Sequence, residues 1–199
     1  MLLAASRLLG ALVISNGTTI RLTEVEAYAG AADPGSHAFR GRTPRNEVMY
    51  GPAGRLYVYF SYGMHWCMNV VTGPDGQASA VLLRAGEVVD GIQGARSRRP
   101  GAPDRDLCRG PARLTRALGI TGAQAGVELL SPTSAVRLLP GATTERARVR
   151  TGPRVGVAGE GAATPWRFWL DGEPSVSTYR PAVRRSPKGS GPDAEGSRP

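Results

Sequence analysis

At 199 residues and 41% apolar content the chain can bury one good core, and no shift in composition along it suggests a second folding unit. Of its 25 basic residues only Lys188 is a lysine; the stretch from Arg180 to Pro199 carries five basic and two acidic residues, so the formal charge of +9 less three leaves +6 on the body. Cys67 and Cys108 are too few for a disulfide framework or a structural zinc site, and no window reaches the ~20 apolar residues of a membrane helix.

The N-terminal MLLAASRLLGALVIS has no basic start, and Arg7 interrupts its apolar run. It reads as a short helix leading into a first strand rather than as a signal peptide. TTIRLTEVEAYA then alternates, which puts Arg21, Thr23, Val25 and Ala27 on one face of a strand and Leu22, Glu24, Glu26 and Tyr28 on the other. RLYVYF, WCMNVV and SAVLLRA are further strands, separated by a break at Gly63 and a GPDG turn at residues 73 to 76. GARSRRPGAPDRD, residues 94 to 106, reads as a basic, proline-containing loop. PARLTRALGI is the best helix, with Pro111 in its first turn and Gly119 near its end. Residues 181 to 199 lack the apolar content to pack and read as a disordered basic tail. The expectation is one α+β domain over residues 1–180, a largely antiparallel curved sheet flanked by a few helices.

Two stretches carry the chemistry. RLYVYFSYGMHWCMN, residues 55 to 69, packs Tyr57, Tyr59 and Tyr62 beside a glycine break, and LTEVEAYAG, residues 22 to 30, sets Glu26 two residues from Tyr28. Flat side chains plus one acid are what an enzyme needs to hold a nucleobase and cut it from its sugar, because an oxocarbenium-like transition state calls for a base to activate water and for negative charge nearby. On a regular strand Tyr57 and Tyr59 share a face and Tyr62 follows at the turn; Tyr57 reads as core and Tyr62 as exposed. Glu24 lies about 7 Å from Glu26 on the same face, a spacing that would also suit a pair of carboxylates in a sugar hydrolase. The surplus of arginine favours a polyanionic partner, since each neutralised phosphate releases counterions, although an arginine-rich composition is also what a GC-rich genome produces.

These stretches, with SHAFRGRTPRN between them and ASAVLLRAGEVVDG, LCRGPARLTRALGI, PRVGV and PWRFW beyond, resemble the 3-methyladenine (alkyladenine) DNA glycosylase family of mammalian type, over roughly residues 5 to 178. The resemblance implies a monomeric, cofactor-free and metal-free enzyme that flips alkylated or deaminated purines out of double-stranded DNA and starts base-excision repair in the bacterial cytoplasm, at the nucleoid. By the same matching Glu26 is the base that activates water, Tyr28 and Tyr59 are plates on either side of the flipped purine, and Tyr62 is the wedge that fills the vacated stack. His37 contacts the flipped base, and Asn69 reads the pocket floor and helps to exclude guanine. Arg84 lies near the acid and the DNA backbone, and Arg45 contacts a phosphate. His65 stands where the family usually carries an aromatic residue.

Stacking suits the substrate class, because alkylation at N3 or N7 makes the purine cationic and aromatic faces attract cations by roughly 0.5–2 kcal/mol. Lys188, the single lysine, lies in the tail, so no lysine of the folded part is available for a Schiff base and water is the expected nucleophile; the N-terminal amine is the remaining alternative, and nothing around Met1 suggests an active site. Two rival readings stand beside this one. A non-catalytic damaged-DNA-binding module would use the arginines and tyrosines but leaves Glu26 without a role. A small glycoside or nucleoside hydrolase would use Glu24 and Glu26 together.

Overall fold

In the computed structural model residues 1–141 and 145–182 are described; residues 183–199, most of the expected tail, lie outside the described residues. Helix α1 (Leu2–Leu8) leads into a sheet whose strands are β1 (Leu12–Ser15), β2 (Thr18–Tyr28), β3 (Leu56–Ser61), β4 (His65–Val71), β5 (Ala80–Asp90), β6 (Val136–Leu139), β7 (Val149–Gly152) and β8 (Arg167–Leu170). Helices α2 (Ile92–Arg98) and α3 (Pro111–Leu118) complete the α+β domain. The strand order is β3-β4-β5-β2-β1-β6, with β8 joined to β2 and β7 to β8, and every pairing is antiparallel.

Strand β2 is the axis of the molecule. Its first half pairs with β1 and its second half with β8, while β5 runs along its other edge. The changeover falls at an irregularity in register between Leu22 and Glu24, and this corrects the strict alternation expected from the sequence. Ile20, Leu22, Val25 and Ala27 all lie in the main core, whereas Arg21, Thr23 and Glu24 bond to Glu173, Ser175 and Ser177. A bulge puts one extra residue into the strand and resets the side-chain period, so Leu22 changes partners from the glutamates to Val25.

Beyond the bulge the two faces of the sheet divide cleanly. Val25, Ala27, Leu56, Val58, Met68, Val70, Val81 and Leu83 join Leu8, Ala95, Leu114 and Leu118 of the three helices in one core. The opposite face is built by the alternate residues. Glu26 pairs across to Leu82, Leu82 to Asn69 and Asn69 to Tyr57, so one row crosses four strands; at the usual strand spacing it is about 14 Å long.

Residues 94–98 are helical rather than a loop. Two of the arginines that suggested a solvated segment turn to backbone carbonyls, while Arg96 pairs with Asp104 at the surface. Arg98 donates to the carbonyl of Ala117 and to Thr18, and Arg99 to the carbonyls of Asp106 and Leu107. Helix α3 follows its expected grammar, with Pro111 in the first turn and Gly119 left-handed at φ +67° at its end. No helix among the described residues is long and apolar enough to cross a membrane.

Candidate active site

Glu26 is fully buried on β2. Its Oε1 accepts the Val155 N–H at 2.7 Å, and its Oε2 accepts from the Tyr28 hydroxyl at 3.0 Å and from Arg84 at 3.3 Å. Burial raises the carboxyl's affinity for its proton, against the pull of Arg84, the Val155 amide and Tyr28. The balance is a carboxylic acid held above its ordinary range, the condition of a group that exchanges protons nearer neutrality. Tyr28 is pushed well above its ordinary value by burial and by Glu26, so its hydroxyl stays protonated and serves as donor.

Glu24 is also fully buried, and its bonds are all structural. Its Oε1 accepts from Arg84 at 3.1 Å, Arg167 at 2.6 Å and the Ser177 hydroxyl at 2.9 Å, and its Oε2 accepts the Ser177 N–H at 2.7 Å. A carboxylate bonded to two arginines and two further donors is poorly placed to deliver or take a proton in catalysis, which removes the geometric basis for a two-carboxylate sugar hydrolase. Arg84 joins the pair from β5. Only 6% exposed, it bonds Glu24, Glu26 and the Ser177 hydroxyl, and it has almost no surface to offer a phosphate.

In front of the acid the same sheet face forms a cavity of about 50 Å³ lined by Tyr28, Gly35, Ser36, His37, Met49, Tyr57, Tyr59 and Asn69. The four base-binding candidates, Tyr28, His37, Tyr59 and Asn69, are thus brought to one cavity, although the first two and the last two come from segments far apart in sequence. Tyr59 meets the His37 ring edge-on at 4.5 Å and stacks with Tyr57 at 5.6 Å and 27°. Asn69 is buried and donates to the Tyr57 carbonyl at 3.2 Å. Burial and the nearby Arg45 lower the His37 pKa, which leaves the ring neutral at neutral pH. Its Nδ1 lies 3.1 Å from the Tyr57 hydroxyl, whose own pKa burial has pushed up to about 12.

Tyr57 therefore needs a second role beside the core one read from the sequence. It is 2% exposed, yet it forms part of the cavity wall. Nothing in the spacing of the strand distinguishes it from any other inward tyrosine. Met49, Val155 and Arg154 were equally silent, because Met49 comes from a single 3-10 turn (Glu47–Tyr50) and the other two from the irregular segment after β7.

Tyr62 and Arg45 lie outside the cavity. The β3–β4 hairpin turns through Tyr62 at φ +51° and Gly63 at φ +65°, and Tyr62 is 88% exposed, with Met64 beside it at 68%. A left-handed tyrosine costs about 1–2 kcal/mol, and strain of this kind collects at functional sites. Arg45 donates to the Phe60 carbonyl at 3.0 Å and sits 5.8 Å from the Tyr59 ring. His65 is exposed at the base of the hairpin. Among the described residues no group of three or more His, Cys, Asp or Glu side chains could hold a metal ion.

A cavity walled by tyrosines and a histidine, with a buried carboxyl hydrogen-bonded to one of those tyrosines, is the kind of site that nucleobase-processing enzymes present. Comparison with known proteins carries this to a family. The family described as Methylpurine-DNA glycosylase (MPG) matches residues 1–174. A relative from Nocardia farcinica is 55% identical over 194 residues, covering 94% of this chain and 89% of its own. One from Leifsonia xyli is 56% identical over 188 residues, covering 88% and 86%, and one from Streptomyces avermitilis is 55% identical over 163 residues, covering 81% and 76%. All three are provisionally named as 3-methyladenine DNA glycosylases. The chain belongs to the methylpurine-DNA glycosylase family, and is a DNA glycosylase with DNA as its substrate.

Proposed function

We propose that the protein is a monofunctional glycosylase that flips alkylated or deaminated purines, among them 3-methyladenine, 7-methylguanine, hypoxanthine and ethenoadenine, out of duplex DNA and hydrolyses their N-glycosidic bonds. The observation that carries this reading is the hydrogen bond between Tyr28 and Glu26, which ties a cavity wall to the buried acid. A base lying against Tyr28 would have its sugar beside the carboxylate.

The steps follow from the residues. Tyr62, exposed and strained, enters the base stack as the purine leaves it, and Arg45, beside the Tyr59 ring, meets a phosphate. The purine stacks between Tyr28 and Tyr59, with His37 and Asn69 at its edges. As the bond from C1′ to the purine breaks, its electrons leave with the base; a water attacks C1′ and gives its proton to Glu26. A cationic purine departs neutral, whereas hypoxanthine needs a proton from solvent or the enzyme.

Glu26 is closed off in the unbound protein, so docking must admit the water; catalytic contacts often tighten only in the substrate complex. The Val155 N–H and Arg84 hold the carboxylate in place for it. With no lysine in the body for a Schiff base, the product is an abasic site in an unbroken strand.

The test is single-turnover release from a duplex holding one hypoxanthine, comparing the native chain with Glu26→Gln. Release by the native protein, a loss of about 10²–10⁴-fold in the variant, and strand breaks only after alkali are expected. Tight binding without release, both here and on a 7-methylguanine duplex, would instead identify a damage-binding module.

A further inference from the structure

Behind Tyr28 lies a buried charge that the reaction above does not use. The Arg154 guanidinium carbon stands 4.6 Å from the centre of the Tyr28 ring and 5.2 Å from that of Trp166. Arg154 is 1% exposed and does not line the cavity, whereas Tyr28, against whose ring it packs, does. Its Nη1 donates to the Ala27 carbonyl at 3.0 Å and to Asp33 Oδ2 at 2.5 Å, and its Nη2 to Asp33 Oδ1 at 2.7 Å. Asp33 in turn accepts the N–H groups of Ala29 and Gly35, where the loop carrying His37 begins.

The arrangement is made to hold a cation here. A Cβ on Gly35 or Gly161 would come within 2.9 Å and 3.1 Å of Arg154 Nη2, so two glycines clear its space. Arg154 Nε is buried without a hydrogen-bond partner among the described residues. Buried ion pairs are often matched or bettered in stability by apolar side chains of the same volume, so packing alone is a weak reason for this one.

We propose that Arg154 is a specificity-determining positioning residue: a cation fixed behind Tyr28 which, with Asp33 as its counter-charge, sets how strongly the site favours cationic over neutral purines. The proposal rests on the reading of Tyr28 as a wall on which the purine stacks. An aromatic ring attracts cations on both faces. With Arg154 on one face, a cationic base on the other meets a ring already engaged and a like charge about 8 Å away, if the base stacks at about 3.5 Å. Asp33, bonded to the same guanidinium, offsets most of that repulsion. A neutral base such as hypoxanthine feels little of either charge as it binds.

The two charges can be removed in order. Asp33→Asn keeps an acceptor for Arg154 but strips the counter-charge, so the rate ratio of 7-methylguanine to hypoxanthine release, measured at subsaturating enzyme where binding of the charged base counts, should fall about three- to tenfold. The ceiling is about thirtyfold, from two unit charges ~8 Å apart at an effective dielectric constant of ~20. Adding Arg154→Met to that variant should return the ratio to the native value or above, and Arg154→Lys in the native background should leave it unchanged. A purely structural role slows both lesions alike, so a ratio that stays flat through Asp33→Asn and the double variant overturns the proposal. Should the double variant not fold, Asp33→Asn alone decides it. Failure of the native chain to release either base would refute the reading of the pocket, and the proposal with it.

Discussion

Replacing Arg84 with methionine tests the wiring of the acid directly. The side chain is 6% exposed and lies between two carboxylates that are 0% exposed, bonding Glu24 at 3.1 Å and Glu26 at 3.3 Å. Glu24 keeps Arg167 and the Ser177 donors, but Glu26 loses its cation and keeps only the Val155 N–H and the Tyr28 hydroxyl. Breaking a buried pair from one side costs about 3–5 kcal/mol, which for a domain of this size is a fall in Tm of about 6–20 °C.

The pH dependence gives the sharper signature. The Glu26 pKa is raised by burial, and Arg84 is the largest influence opposing that rise, so its loss lifts the value further. A carboxyl whose folded pKa exceeds its unfolded value contributes stability that is fully present below the unfolded pKa, near 4.5, and lost as pH rises through the folded one. The deficit of the variant should therefore be smaller at about pH 5 than at about pH 8. In single-turnover excision the acidic limb should move to higher pH, with activity partly recovered in alkaline buffer, while Arg84→Lys keeps the limb nearer its native position. A lower rate with an unmoved acidic limb would refute the assignment of Glu26 as the titrating base held by Arg84.

Two further substitutions separate function from folding. Tyr62→Gly relieves the left-handed conformation at φ +51° in a side chain that is 88% exposed, so denaturant unfolding should show stability that does not fall, while excision from duplex DNA slows by about tenfold or more. Gly30→Ala should do the reverse of a surface change. At φ +63° its Cβ would fall 1.9 Å from the Ala78 carbonyl oxygen, and a loss of about 2 kcal/mol or more is expected in the same unfolding measurement, through the loop that carries Asp33 and His37.

Much of this molecule is local in origin and so could be read from the chain. Pro111 and Gly119 mark the ends of α3 because one lacks an amide hydrogen where none is needed and the other accepts a left-handed turn. Tyr62 beside Gly63 marks a hairpin tip for a similar reason, and alternation in β3 separates Leu56 and Val58 from Tyr57 and Tyr59. The largely antiparallel α+β architecture follows from elements of this kind. The family was legible because its motifs recur along most of the chain.

Other features depend on contacts between distant segments, which no local pattern encodes. The bulge after Leu22 exists because β2 changes partners from β1 to β8, and it moves Leu22 away from the glutamates. Helix α2 forms from a stretch rich in arginine and glycine because Arg98 and Arg99 satisfy carbonyls near α3 and in the following loop. Glu24 and Glu26 look alike two residues apart, yet Arg167 and Ser177, more than 140 residues away in sequence, occupy the first, while Val155, Tyr28 and Arg84 hold the second. The sequence by itself determined which residue types were present and where the chain would turn. Which carboxylate came to bond the cavity wall, and which arginine came to pack against Tyr28, was decided by tertiary packing, because the cost of burying a charge depends on partners that only the folded chain brings together.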